Sequence, residues 1–219
     1  MDFPLLQTIA LYAVPVVFAI TLHEAAHGYV ARMFGDQTAW MLGRVTLNPL
    51  KHIDPVGTVI VPLALLLLSK LAGGGGILFG WAKPVPVNFG NLRNPKRDML
   101  WVAAAGPGMN LAMAIVWAFL FRFAGDGGSF DSEGLEQMAQ AGVEINVVLM
   151  VLNLLPIPPL DGGRMAVSLL PHSLAMIFAR LEPYGFMVII LLLATGVLNR
   201  VMDPFIRIVL VFLRTVIGV

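Results

Sequence analysis

The chain alternates between long apolar stretches and short polar breaks. The first stretch is the cleanest: no charged side chain occurs from Leu5 to Leu22. It predicts a span from Pro4 to Phe34, which as one helix would be about 46 Å long against a hydrocarbon core of about 30 Å. The next stretch, Val56 to Ala72, holds Pro62, runs into Gly73–Gly76, and is barely long enough to cross. Met99 to Phe121 reads as a third span. A fourth begins near Gly142 and ends in Asn153-Leu-Leu-Pro-Ile-Pro-Pro-Leu-Asp161-Gly-Gly, where the prolines break the helix. A fifth covers about Ser173 to Leu198, interrupted near Glu182-Pro183. The last, Phe205 to Val219, carries Arg207 and Arg214 and suits a short span or an interfacial helix. The pattern predicts an all-α polytopic membrane protein with about five to six transmembrane helices. It reads as one domain over 1–219, with a core at about 4–170 and C-terminal helices at 173–219.

Charges between the spans set an orientation. Arg93, Lys96 and Arg97 precede the third span, and Arg32, Arg44 and Lys51 follow the first, which marks both as cytoplasmic ends. The connection from Gly125 to Gln140 has Asp126, Asp131, Glu133 and Glu136 and no Lys or Arg, as expected of the outer side. With both ends of 35–98 on one side, Val56–Ala72 must enter and return through Ile77 to Asn88. The alternating run Lys83-Pro-Val-Pro-Val-Asn88 reads as an edge strand on that return. Irregular backbone at membrane depth is tolerated where protein or a water-filled cavity covers it.

Composition agrees: 58% of residues are hydrophobic and 12% charged, against about 25% charged in a soluble domain, and mean hydropathy is +0.84. No basic run with interleaved aromatics suggests nucleic acid. The chain has no cysteine, so a metal must take N and O ligands. The first segment makes a poor signal peptide, with Asp2 in place of a basic n-region and no small-residue cleavage site, and is expected to remain as a span.

The chemistry sits at the end of that span. Residues 23–27 read His-Glu-Ala-Ala-His. On a helix, positions four apart share a face, so His23 and His27 can reach one ion. Glu24, one residue round, can take a proton from water activated there. Ionisable groups are expensive in lipid, which argues against a merely structural cluster. A catalytic zinc site usually has a third protein ligand. Asp161 matches the histidines in depth, and the glycines after it allow close approach, although an aspartate there also suits a helix N-cap. Glu144, near the opposite face, is a weaker candidate, and Glu182, beside Pro183, is a further one. His52 and His172 fall in loops.

These segments together resemble the site-2 protease family of intramembrane zinc metalloproteases, peptidase family M50, in a short form without PDZ or CBS domain. The resemblance is carried by His-Glu-Ala-Ala-His, by Ala-Gly-Pro-Gly-Met-Asn at 105–110, and by Asn153 with Leu160-Asp161-Gly162. The runs Asn48–Thr58 and Phe79–Asn88 also look like segments of short bacterial and archaeal members, and the likeness extends over about 15 to 198. It implies one Zn²⁺ held by His23, His27 and Asp161, with Glu24 as general base. It implies Asn153 as a holder of substrate or oxyanion, a donor typically worth about 3 kcal/mol, and Asn110 near the site, so that both asparagines join Glu24 as candidate catalytic residues. The expected substrate is a transmembrane segment of another protein, and the expected location is the cytoplasmic membrane, with the site nearer the cytoplasmic face. An unwound substrate would pair with the Lys83–Asn88 edge. Three rival functions are a gluzincin-type protease with a glutamate ligand, an inactive helix-binding relative, and a metal transporter. The last would need polar groups at several depths, and only one cluster is visible. Natural substrate and oligomeric state are not legible.

Overall fold

The structure is a computed structural model that describes residues 5–61, 64, 67, 80–125 and 133–217. Its long elements are helices: α1 (Leu5–Met33), α2 (Pro95–Ala124), α3 (Glu133–Leu154), α4 (Asp161–Leu169), α5 (His172–Ala179), α6 (Glu182–Ala194) and α7 (Val197–Ile217). Among the described residues α2 and α3 are long and apolar enough to cross a membrane, and α5 with α6, bent by 64°, makes a third if taken as one span. The membrane-helical class follows. The break between α5 and α6 falls at the expected Glu182-Pro183 interruption.

α2 organises the bundle. It packs against α1, α3, α4 and α7. Pro95 opens it at a position where a missing N–H costs nothing, and Asp98 reaches back to accept the N–H of Asn94 at 2.7 Å. Beyond Pro107 its inner face is small: Ala114 and Ala118 lie in a core with Val147 and Met150 of α3, Ile189 of α6 and Leu198 of α7. Small residues bring helices close where lipid offers no hydrophobic drive for association. Trp117 packs over Gly142 so tightly that a Cβ there would lie 2.3 Å from its ring.

Several boundaries shift. α3 begins at Glu133 rather than near Gly142, because helix propensity carries it through the polar turns that a hydropathy reading excludes. α7 begins at Val197 and takes in Arg200, Asp203, Arg207 and Arg214. The proposed turn at Gly73–Gly76, much of Val56–Ala72, and Asp126 and Asp131 lie outside the described residues. The expected edge strand is corrected: no strand occurs among the described residues, and 80–88 is an irregular segment. Its donors are spent elsewhere. Lys83 N–H goes to the His52 carbonyl at 2.9 Å, Val85 N–H to Glu24 at 2.7 Å and Asn88 N–H to Asp36 at 2.6 Å, while Pro84 and Pro86 have none.

This segment is tied to the neighbouring helices along its length. Trp81 stacks on Phe186 of α6, with ring centroids 4.8 Å apart, and its ring fills the space a side chain at Gly57 would need. Beyond it, Arg93 N–H donates to the Phe34 carbonyl at 3.0 Å. Asp36, fully buried just past α1, accepts from Thr38 N–H and hydroxyl at 3.0 and 2.5 Å, from Asn88 N–H and from the Asn91 amide at 3.2 Å. Burial disfavours its charge, but these donors outweigh that and hold its pKa below the usual carboxylate value.

A depressed folded pKa contributes stability that is complete above the unfolded value of about 3.9 and fades as pH falls through the folded one. Asp36→Asn is therefore expected to cost about 2 kcal/mol at pH 7, with the gap to the unaltered chain closing below about pH 4. Thermal unfolding in detergent across pH 3–7 checks this.

Candidate metal centre

His23 and His27 lie one turn apart on the buried face of α1, about 9 Å before its end for His27. Their Nε2 atoms are 3.0 Å apart. Asp161, the first residue of α4, places Oδ2 at 3.2 Å from one Nε2 and 3.3 Å from the other. Its carboxylate does not cap its helix: the N-cap is Leu160, with no side-chain cap bond. Gly162 and Gly163 make the approach possible, since a Cβ on either would lie 2.3–2.4 Å from the backbone of the Leu154–Pro158 loop. Gly185 of α6 clasps the same loop from outside, against the Pro158 carbonyl.

The partners on the far side of each imidazole fix its protonation. His27 Nδ1 sits 2.7 Å from the Val102 carbonyl. A carbonyl only accepts, so that nitrogen carries the proton. His23 Nδ1 sits 2.6 Å from Asn110 Oδ1. The Asn110 amide is oriented by donating to Asn146 Oδ1 at 3.0 Å and to the Ala19 carbonyl at 3.4 Å, and Asn146 donates onward to the Gly142 carbonyl at 2.8 Å. With both Nδ1 atoms protonated, both Nε2 atoms present lone pairs. Asp161 Oδ2 is buried and has no hydrogen-bond donor. With both rings neutral, three acceptors converge on one point, an arrangement that repels itself unless a cation sits in the middle. Four ligands held tetrahedrally at about 2.0–2.1 Å stand about 3.3 Å from one another. The spacing, the donor set and the outer hydrogen bonds all fit zinc. Among the described residues this is the one such group.

Gly106 forms the floor. A Cβ there would lie 2.4 Å from His27 Nε2 and 2.6 Å from His23 Nε2, so the glycine of the Gly-Pro-Gly-Met-Asn run keeps α2 clear of the ligand atoms. Glu24 is half-buried beside the cluster and outside it. Asn110 bonds to the candidate ligand His23. Asn153 donates to the Leu149 carbonyl of its own helix at 3.0 Å.

The competing ligands go elsewhere. Glu144 is exposed and accepts from Gln140 at 3.0 Å. Glu182 is exposed at the start of α6. His52 is buried with Nε2 3.0 Å from the Thr46 carbonyl, and His172 is exposed at the start of α5. Sequence reasoning noticed Gly106 only as part of a close-packing run, not as the neighbour of the histidines, and missed Asn146. A lone polar residue within the otherwise apolar run Ile145–Leu152 signals Asn146. No local signal marks Gly106 as the floor of a site.

Adding the methyl in Gly106→Ala is expected to reduce bound zinc by more than half while the helix content stays unchanged. Asn110→Ala, which frees the His23 ring, is expected to weaken zinc about 10- to 100-fold. Metal analysis of purified protein and a competition titration with a chelator read both.

The family model of peptidase family M50 matches residues 123–195, a stretch holding Asn153 and Asp161 but not the histidine helix. Two bacterial proteins named "Putative zinc metalloprotease" are similar over most of the chain. YwhC of Bacillus subtilis is 38% identical over 195 residues, covering 87% of this chain and 83% of its own. Rip2 of Mycolicibacterium smegmatis is 31% identical over 185 residues, covering 84% of this chain and 66% of its own. No solved structure gives a significant match.

Proposed function

The chain belongs to peptidase family M50 and is a zinc metalloprotease, and on that premise we propose that it cleaves peptide bonds within or near transmembrane segments of other proteins. The observation that carries this reading is the convergence of His23, His27 and Asp161 beside Glu24 in helices of a membrane protein. His23, His27 and Asp161 hold the ion. When bound, zinc supplies Lewis acidity that polarises a peptide carbonyl and acidifies water.

The chain's own groups do the rest. Glu24 accepts the proton of the attacking water and returns it to the leaving amine. Val102 and Asn110 fix the tautomer and tilt of the two imidazoles. Asn153 stands one helical turn beyond Leu149 on α3. Released from that carbonyl, its amide serves as a donor to the developing oxyanion. The protein resides in the cytoplasmic membrane with about five to six spans. Basic residues at the start of α2 and after α1 support a site whose near end faces the cytoplasm, with a short path for water. A glutamate-ligated site is disfavoured because Glu144 and Glu182 both stand away from the histidines.

The test is zinc content together with cleavage of a model transmembrane substrate in liposomes. Glu24→Gln is expected to keep zinc and lose roughly 10²- to 10⁴-fold in kcat, and Asp161→Ala to lose zinc and activity together. Full zinc and cleavage in Asp161→Ala would remove that residue from the ligand set. A wild type that binds zinc and cuts no substrate would favour a helix-binding relative.

A further inference from the structure

Arg44, in the turn after the one-turn helix Thr38–Met41, points its guanidinium into the irregular segment. Its Nη2 donates to the Lys83 carbonyl at 2.8 Å and to the Pro84 carbonyl at 3.4 Å. The next peptide N–H, that of Val85, donates to Oε2 of Glu24 at 2.7 Å. We propose that Arg44 is a positioning residue for proteolysis: through the Lys83 and Pro84 carbonyls it holds the Val85 N–H on the carboxylate of Glu24. The inference rests on the reading of Glu24 as general base.

Three features make the tether specific. Proline fixes φ at 84, and Pro86 keeps Val85 out of the helical region, so the Val85 peptide is presented in a narrow range of directions. The Val85 side chain is buried, 4% exposed, and packs over Gly28 on α1, where a Cβ would lie 3.0 Å from it and 2.7 Å from Val45. Arg44 itself is anchored, its N–H donating to the Ala39 carbonyl at 2.9 Å. The consequence is chemical. A glutamate side chain has three rotatable bonds, and a base must offer its lone pair to water in one direction. With Oε2 held by a backbone donor, Oε1 is the oxygen left to receive the proton. One guanidinium nitrogen, Nη2, donates to both consecutive carbonyls, and the planar group fixes the direction of its N–H bonds where a rotating ammonium group does not.

The chain has no cysteine, so Val85→Cys gives a single reporter. Its maleimide labelling is measured on the full chain in liposomes, with and without Arg44→Gln. In parallel, kcat, KM and zinc content are measured for Arg44→Gln and Arg44→Lys with Val85 intact. The expected result is labelling at least tenfold faster in Arg44→Gln and kcat lower by about 10²-fold. KM should stay within twofold and zinc should be unchanged, with Arg44→Lys intermediate. A merely structural role would lower zinc and kcat together and overturns the proposal. So do unchanged labelling and kcat. If Arg44→Gln does not fold, Arg44→Met, which keeps the apolar stem and removes the donors, takes its place with the same readouts. Faster labelling in a protein whose wild type cuts no substrate would overturn the general-base reading rather than the tether.

Discussion

Two imidazole nitrogens and a carboxylate oxygen, all bearing lone pairs, converge within 3.0–3.3 Å in a buried place. That convergence is unfavourable on its own, and the surrounding structure is arranged to impose it. α2 supplies the Val102 and Asn110 acceptors that turn each ring outward at Nδ1. The glycine at 106 lets the same helix lie under both rings. The proline-rich loop and its two following glycines deliver Asp161 from the third direction. Remove any one and the other groups have room to separate, so the geometry is a property of three helices and a loop rather than of a motif.

The motif was nonetheless legible. His23, Glu24 and His27 stand out because i and i+4 spacing on an uncharged helix is hard to explain otherwise. Asp161 was singled out by its matching depth and by the family resemblance, although a helix N-cap also suited its glycine context. The helices around it were legible wherever apolar runs were long. The boundaries failed where helix propensity outlasted hydropathy, as at Glu133. The reading of Lys83–Asn88 failed for a different reason. Alternation and prolines indicate a chain that is not helical, but not what its N–H groups will bond to. Their acceptors, His52, Glu24 and Asp36, are distant in sequence, and only the fold brings them together. The contacts of Gly106 with the histidines and of Arg44 with this segment were hidden for the same reason.

The irregular segment thereby links parts that sequence treats separately. It is held by the loop after α1 at Asp36 and Arg44, stacked on α6 through Trp81, and bonded to Glu24 through Val85. α6 in turn grips the loop before Asp161 through Gly185. The candidate base and the third candidate ligand are therefore both braced by elements that touch α6. This helix belongs to the bent pair at the far end of the chain and carries no group of the site itself.

The order of the candidate ligands along the chain has a bearing on how the centre is assembled. The two histidines enter the membrane with the first helix, and the aspartate is synthesised only after α2 and α3. Until then the nascent protein has two candidate nitrogen ligands and no third, although the Val102 and Asn110 acceptors that set their tautomers arrive earlier, with α2. A chain that ends before Asp161 thus has no complete candidate metal centre. Maturation of the enzyme waits on completion of most of its own polypeptide.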